Sequence, residues 1–202
     1  MRRAPALLLL LACCVAPIAC GTAPPAQRRS TDLLNARLSP AYAQWLVGPV
    51  AHLATEAEVQ QFLALADDAA AQAFIDAFWS RRDPRPPSNG NPLVPQNLRE
   101  RFDARAAEAD RRFSEAGYLG RRTDRGTVWV LYGEPKQIQF DINPNGPSPV
   151  ERWTYAANAP VGLDGRHPLP AFRFVKSGDL TVLYHERPTQ QRRPGVPSEP
   201  PT

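Results

Sequence analysis

Cysteine is nearly absent from this chain of 202 residues, and Cys13, Cys14 and Cys20 all lie near its N-terminus. A disulfide framework in the folded part is therefore excluded, although exported proteins often have one. The three histidines are widely scattered, so the ligand spacing of a structural zinc site is missing as well. We predict neither a metal nor a cofactor.

Lysine is also scarce: Lys136 and Lys176 are the only two, and the other basic residues are arginines. The formal net charge of +4 falls to about +2 once Arg2 and Arg3 of an N-terminal signal are left out. A nucleic-acid-binding protein would show an uncompensated basic stripe, whereas arginine clusters such as Arg81-Arg82 and Arg111-Arg112 are flanked by Asp83 and Asp110. We predict no nucleic-acid partner. Binding to an anionic polymer through arginine is a further alternative, and it predicts steep salt dependence.

Motifs of common enzymes are missing: the sequence has no Walker loop, no G-x-S-x-G elbow and no Rossmann glycine pattern. These absences make catalysis less expected. They do not exclude it, because catalytic groups often come together from distant positions.

The N-terminus has the pattern of an export signal. Met1-Arg2-Arg3 is followed by an apolar run containing five consecutive leucines, and the stretch is too short and too interrupted by proline for a membrane anchor. Residues 1–19 resemble a bacterial lipoprotein signal, which implies that Cys20 is lipidated. Cys13 is the alternative anchor, and plain secretion to the periplasm after cleavage at Ala19 is the other alternative. Gly21 is not Asp, which by the same resemblance points to the outer membrane.

The order of patterns predicts an α+β fold, with N-terminal helices packed on a small, mostly antiparallel β-sheet. We place a flexible tether at 20–37, the domain at 38–186 and a disordered Pro/Arg-rich tail at 187–202. Within the domain, 38–116 is the helical part and 117–186 the sheet part. Thr55 and Glu58 form a capping box, Pro84 ends a helix, and an amphipathic helix begins at Asn97.

Five segments of the second half are predicted strands, and Gly178-Asp179 is predicted to be a hairpin turn. Thr127–Tyr132 is apolar on both faces, which is typical of a central, covered strand. The other four segments are 137–142, 151–155, 171–175 and 180–185.

Two stretches hold the candidate site residues. In 78–90, Arg82 and Asp83 are candidates for binding an anion or activating water; the alternative is helix termination, with the arginines on the last carbonyls and Asp83 pairing with one of them or starting a turn. The following Pro-rich loop at 84–96 is either a partner-binding loop or a cover for apolar residues.

The second stretch is 120–135. Asp124 is a candidate general base with Arg125 as an anion partner. The alternative, which we favour, is two turns flanking the strand: the Thr123 and Asp124 side chains bond nearby amides, and Gly126 supplies a conformation that other residues resist. Gly133-Glu134-Pro135 is then the exit turn.

These segments in order resemble the GWxTD-domain family of bacterial envelope proteins over about 38–185. Residues 78–84, FWSRRDP, are similar to the family's FW-x-x-RDP, and 120–124, GRRTD, stand where the family has Gly-Trp-x-Thr-Asp. Arg121 stands at the position of the family's tryptophan. If that tryptophan packs in the family, its packing is either lost here or replaced by Trp129 or Trp153; if it contacts a partner, this chain lacks that contact residue. The resemblance implies a location in the cell envelope and no particular reaction.

The sequence thus predicts an exported, lipid-anchored envelope protein that acts as a non-catalytic interaction or scaffolding module. Its partner would be another envelope protein, and it would contact the membrane through its N-terminal lipid. The alternative is an envelope hydrolase using Asp83 and Asp124 near Arg82. We expect one locked, partner-facing surface built from Trp79, Arg82, Asp83, Pro84, Thr123, Asp124, Gly126, Gly133 and Pro135.

Overall fold

The structure, a computed structural model, describes residues 30–143 and 146–184. The predicted signal, Cys13, Cys20 and the tail at 187–202 lie outside the described residues. In the described part, the chain runs through helices first and strands later, and the α+β prediction is confirmed. No helix in this part is both long enough and apolar enough to cross a membrane.

Six helices precede the sheet, with 3₁₀ turns at Ser30–Leu33 and Gly120–Arg122. They are α1 Pro40–Ala43, α2 Val50–Leu53, α3 Glu56–Leu63, α4 Asp68–Arg82, α5 Leu98–Phe113 and α6 Asp124–Tyr132.

The helices begin where their capping residues predict. Thr55 and Glu58 bond each other's backbone amides at the start of α3, which confirms the capping box, and Asn97 and Glu100 form a second one at the start of α5. The Asp67 carboxylate caps α4 by accepting from the N–H of Ala70.

The sheet is a four-stranded antiparallel meander in which each strand pairs with its sequence neighbour. Its strands are β1 Gln137–Asp141, β2 Val150–Thr154, β3 Ala171–Ser177 and β4 Leu180–Leu183. Four of the five predicted strands are therefore present, with boundaries that differ by one or two residues. The predicted turn at Gly178-Asp179 joins β3 to β4.

Two groups of aromatic rings form the centre of the fold. In the helical part, six rings pack on one another: Trp45, Phe62, Phe74, Phe78, Trp79 and Phe102. Under the sheet, α5, α6 and β2 meet through Phe113, Trp129 and Trp153, whose ring centroids are 5.3 to 6.2 Å apart. Ring pairs at these separations stabilise a core beyond the area that they bury.

The prediction of a strand at Thr127–Tyr132 is wrong, because this segment belongs to helix α6. The Thr123 hydroxyl caps the helix by accepting from the N–H of Gly126, and Gly133 ends it with φ +78°. Residues 128–131 of α6 are all buried and all apolar, so this part of the helix has no polar face. A short run of this kind has no amphipathic period that would separate a helix from a buried strand.

The predicted tether is too long at its C-terminal end. Asn35 is buried and donates from its amide nitrogen to the carbonyl oxygens of Phe62 and Leu65, at 2.9 and 3.0 Å. Leu33 is part of the hydrophobic core. Residues 30–37 therefore belong to the folded domain.

Candidate interaction groove

Asp83 connects the end of α4 to the start of α5. Its carboxylate accepts from the Arg85 guanidinium at 2.6 and 2.8 Å and from the backbone N–H of Leu98 at 2.9 Å. The Arg85 hydrogen bonds, followed by those from backbone amides, hold the pKa of Asp83 well below its usual range. A carboxylate held in this way stays ionised and is a poor general base.

Arg82 does not pair with Asp83, contrary to one of our sequence-based alternatives. Its guanidinium donates to both oxygens of Glu58, to the carbonyl of Phe78 and to that of Leu53. The Arg82 hydrogen bond is the largest cause that lowers the pKa of Glu58, to about 2. The predicted binding of the last helix carbonyls is confirmed, and Arg82 ties the end of α4 to the start of α3.

The Pro-rich loop after α4 is held against the start of α5 by Glu100. One Glu100 oxygen accepts from the N–H and hydroxyl of Ser88 at 2.8 and 2.9 Å, and the other accepts from the N–H of Asn97. The backbone hydrogen bond from Ser88 is the largest cause that lowers the pKa of Glu100. Ser88 is buried, whereas Leu93 at the loop tip is almost fully exposed.

The 120–126 segment is a tight junction rather than a reactive loop. A Cβ on Gly126 would lie 1.7 Å from the carbonyl oxygen of Gly120, and a Cβ on Gly120 would lie 1.9 Å from that of Ala109. The predicted reason for Gly126 is therefore wrong: close backbone approach requires glycine there. Thr123 is buried between the two glycines and bonds both.

Asp124 and Arg125 are bound to the sheet. The Asp124 carboxylate accepts from the backbone N–H of Leu183 in β4 at 2.6 Å. Arg125 donates to Glu115 at 2.9 Å and to Glu151 at 3.2 Å. Both side chains thus have structural partners. The turn interpretation holds for Thr123, which accepts from the nearby amide of Gly126, but not for Asp124, which reaches a distant strand.

Arg121, at the position of the family tryptophan, pairs with Asp110 on α5. Its backbone N–H and its Nε each lie 2.8 Å from an Asp110 oxygen. Trp129 and Trp153 pack in the sheet core, with the Arg112 guanidinium 4.4 Å above the Trp129 ring. Arg121 thus forms an ion pair with Asp110 at this position.

Gly133 and Pro135 form the exit from α6, as predicted. The Gly133 carbonyl accepts from the Tyr155 hydroxyl at 2.9 Å, and Pro135 is buried. Arg105 of α5 donates to the carbonyls of Val130 and Leu131, so the end of α6 is also held by α5.

The nine predicted site residues do not form one locked surface. Asp83 contacts the first residue of α5, whereas the Gly120–Gly126 junction packs against Ala109 and Asp110, about 18 Å further along that helix. The carboxylates of Asp83 and Asp124 therefore do not share a cleft. This geometry does not favour the hydrolase alternative, which needs both groups at one site.

A groove between α4 and α5 connects the two family motifs, and we call it the α4–α5 groove. Its first half, of ≈ 290 Å³, lies beside α1 and is lined by Tyr42, Trp79, Phe102, Arg121 and other residues. Its second half, of ≈ 520 Å³, reaches Ser80, Asp83 and Pro84. Trp79, Arg99 and Asp103 line both halves, so the two halves are adjacent.

The chemistry of the groove suits binding more than catalysis. Its floor is apolar, with Trp79, Ile75 and Phe102 all buried, while Arg99 on its rim lies 2.9 Å from Asp76 across the two helices. An apolar floor with a polar rim is typical of a surface that accepts an anchor side chain. Among residues 30–143 and 146–184, no group of three metal-ligating side chains occurs.

Three acids with central structural roles were not among the predicted site residues. Glu58 and Glu100 each stand at the N3 position of a capping box. The sequence predicted this local role for Glu58 and could have predicted it for Glu100, but it does not indicate their partners Arg82 and Ser88. Glu115 binds Arg125 and Thr181, a residue 66 positions away, and nothing local indicates this contact.

Among known proteins, the chain matches one family model. A sequence model described as GWxTD domain matches residues 36–163. No curated protein and no solved structure matches the chain. The matched range includes α4, α5, the α4–α5 groove and the 120–126 junction.

Proposed function

The chain belongs to the GWxTD domain family, and from this premise we propose that it is a lipid-anchored protein of the cell envelope that acts as a non-catalytic interaction or scaffolding module. Its place is the periplasmic side of the outer membrane. The partner is another envelope protein, which docks in the α4–α5 groove.

The observation that carries the proposal is the position of Trp79 on the floor shared by both halves of the groove. Around it, the polar residues of the two motifs already have structural partners: Asp83 binds Arg85 and Leu98, and Arg121 binds Asp110. The groove presents a mixed polar and apolar surface with paired charges on its rim, which supports binding rather than chemistry.

Support for the location comes from the N-terminal sequence. Residues 1–19 resemble a signal and are followed directly by Cys20. Residues 21–29 are mostly polar and contain two adjacent prolines. Such a segment suits a flexible link between a lipid and the folded domain.

Site-specific photo-cross-linking in intact cells tests the interaction. A benzophenone amino acid is placed at Ala41 or Ser80, which are exposed and line the two halves of the groove, and at Asp179 in the β3–β4 turn as control. We expect one defined product with an envelope protein from Ala41 and Ser80, and none from Asp179. Equal yields from all three positions, with the fold intact, would contradict the groove as the docking surface.

A charge reversal on the rim sharpens this test. Arg99 is exposed and pairs only at the surface, so Arg99→Glu should leave the fold intact while changing the rim. The matched control is Lys176→Glu, which changes an exposed side chain of β3. We expect the Ser80 product to fall at least fivefold in Arg99→Glu and to stay unchanged in Lys176→Glu.

The anchor is tested separately by labelling cells with a palmitate analogue. We expect Cys20→Ala to lose the label and to leave the membrane fraction, while Cys13→Ala keeps both. The reverse pattern would assign the lipid to Cys13, and an unlabelled wild-type chain would rule out lipidation.

A further inference from the structure

The two edge strands of the sheet, β4 and β1, differ in whether their outward backbone N–H groups have hydrogen-bond partners. At the β4 edge, the backbone N–H of Thr181 donates to Glu115 at 2.9 Å, and the N–H of Leu183 donates to Asp124 at 2.6 Å. These two N–H groups, which another strand would need for pairing, already donate to carboxylates. Within the described ranges, no hydrogen bond from outside the sheet reaches the backbone of β1, the other edge. The β1 edge is open for pairing.

The open edge also carries a stripe of exposed apolar side chains. Ile138, Phe140 and Ile142 are 41%, 67% and 93% exposed. They alternate along the chain and so share one face, the face on which Trp153 enters the core opposite Ile138. Helices α5 and α6 cover this face of the sheet at β2, and the side chains of β1 on the same face remain exposed. Soluble proteins rarely leave an apolar edge strand uncovered.

We propose that a second copy of this chain covers the edge, with the two β1 strands pairing antiparallel about Gln139 to form a continuous sheet of eight strands. This pairing places Ile138 of each copy opposite Phe140 of the other. It also places Gln139 opposite its own counterpart and Gln137 opposite Asp141. On one face of the joined sheet, apolar side chains of the two copies are cross-strand neighbours. On the other face, the glutamine side chains lie opposite polar residues.

The strand's own alternation excludes odd-numbered register slips, and centring the pairing on Gln139 pairs all five residues of β1. A slip of one residue would place the two apolar stripes on opposite faces of the joined sheet. The symmetric arrangement is isologous, so it closes as a dimer and leaves carboxylate-capped β4 strands at both outer edges.

Other occupants fit the stripe less well. Once the proposed signal is removed, the terminal segments outside the described residues, 21–29 and 185–202, contain Val196 as their one large aliphatic residue, so neither offers a matching stripe. A lipid surface gains little from the charges beside the stripe: Glu151, opposite Phe140 on the same face, is paired with Arg125, and Lys136 at the start of the strand is a single lysine. Arg152 on the polar face already pairs with Asp141 at 2.9 Å.

The small size of the stripe implies a weak dimer, below the area of a stable interface. Anchoring both copies to one membrane would raise their effective concentration. This last step rests on the proposed lipid anchor, whereas the pairing itself does not.

Cysteine cross-linking of the full chain in cells tests the register. In the proposed pairing, Gln139 faces itself, so Gln139→Cys should give a disulfide dimer on mild oxidation. Asp179→Cys, exposed in the far turn, is the matched control. We expect at least tenfold more dimer from Gln139→Cys than from Asp179→Cys or the parent chain. Equal yields, or a dimer from Phe140→Cys with none from Gln139→Cys, would overturn the proposed pairing.

A second variant separates folding from association. Adding Phe140→Asp to Gln139→Cys should abolish the dimer, and adding Phe140→Leu should keep it, with the helical circular dichroism of both variants unchanged. A disulfide to a different protein in place of the dimer would overturn the second copy as occupant. The Ser80 photo-cross-link should survive Phe140→Asp, so that failure of the dimer and failure of the groove are distinguishable.

Discussion

The carboxylate of Asp83 lies 2.9 Å from the backbone nitrogen of Leu98, 15 residues further along the chain. This hydrogen bond satisfies an amide in the first turn of α5 that has no partner inside its own helix. It also closes the Pro-rich loop, because Arg85 binds the same carboxylate. The family's RDP motif thus joins two helices through one acid.

We expect Asp83→Ala to destabilise the domain more than Asp76→Ala, because only Asp83 serves a buried helix end while Asp76 makes an exposed ion pair. Asp83→Asn should fall between them, since its amide oxygen can still accept from Leu98. Thermal unfolding followed by circular dichroism measures the order. Equal midpoints for the two alanine variants would show that the Leu98 hydrogen bond is dispensable.

Gly126→Ala should be severely destabilising, by about 3 kcal/mol or more, because its Cβ would overlap the Gly120 carbonyl and a buried junction has little room to move. Gly90→Ala is the matched control: it has positive φ but open space around it, and should cost only about 1 kcal/mol. Urea denaturation gives both free energies of unfolding. A cost at Gly126 no greater than at Gly90 would mean that the junction can open without penalty.

The Glu58–Arg82 pair should make stability depend on pH. The pKa of Glu58 is about 2 in the folded chain, below its ordinary value of 4.5. A depressed carboxyl pKa adds stability that is fully present above pH 4.5 and is lost as the pH falls toward 2. We expect the free energy of unfolding of Glu58→Gln to fall less over this window than that of the wild type.

Other acids titrate in the same range, so the measured quantity is the difference between wild type and Glu58→Gln at each pH. The matched control is Glu56→Gln, which removes an exposed acid of the same helix. Parallel curves for wild type and Glu58→Gln between pH 4.5 and 2 would show that the pair contributes nothing.

Asp110→Ala should cost more than Arg121→Ala, because Asp110 accepts from both the backbone N–H and the guanidinium of Arg121. Arg121→Ala keeps the backbone hydrogen bond. In a double-mutant cycle we expect a coupling of about 1 kcal/mol, typical of a partly exposed pair with good geometry. A coupling near zero would mean that the arginine replaces the family tryptophan without adding stability of its own.

The sequence predicted best where structure follows from local chemistry. The Thr55–Glu58 capping box, the helix end before Pro84 and the Gly178-Asp179 turn each depend on a few adjacent residues, and all three are present. The four strands also have the alternation or the flanking turns that a sheet requires.

The sequence failed where long-range packing decides. Residues 127–132 suit a buried strand as well as a buried helix, and the choice depends on α5 and the sheet covering the segment on opposite sides. The partners of Arg82 and Asp124 lie 24 and 59 residues away. Nothing within either motif indicates such partners. The prediction therefore combined into one surface two separate junctions, the one at Asp83 and the one at 120–126.

The meander order of the sheet has a consequence for how the domain assembles. Every strand pairs with its sequence neighbour, so closing each hairpin costs little chain entropy and the sheet can form early. The contacts of β4 with Glu115 and Asp124 span about 60 residues and must close later. A chain that crosses a membrane unfolded would thus complete its fold at β4, and the last step would cap that edge of the sheet.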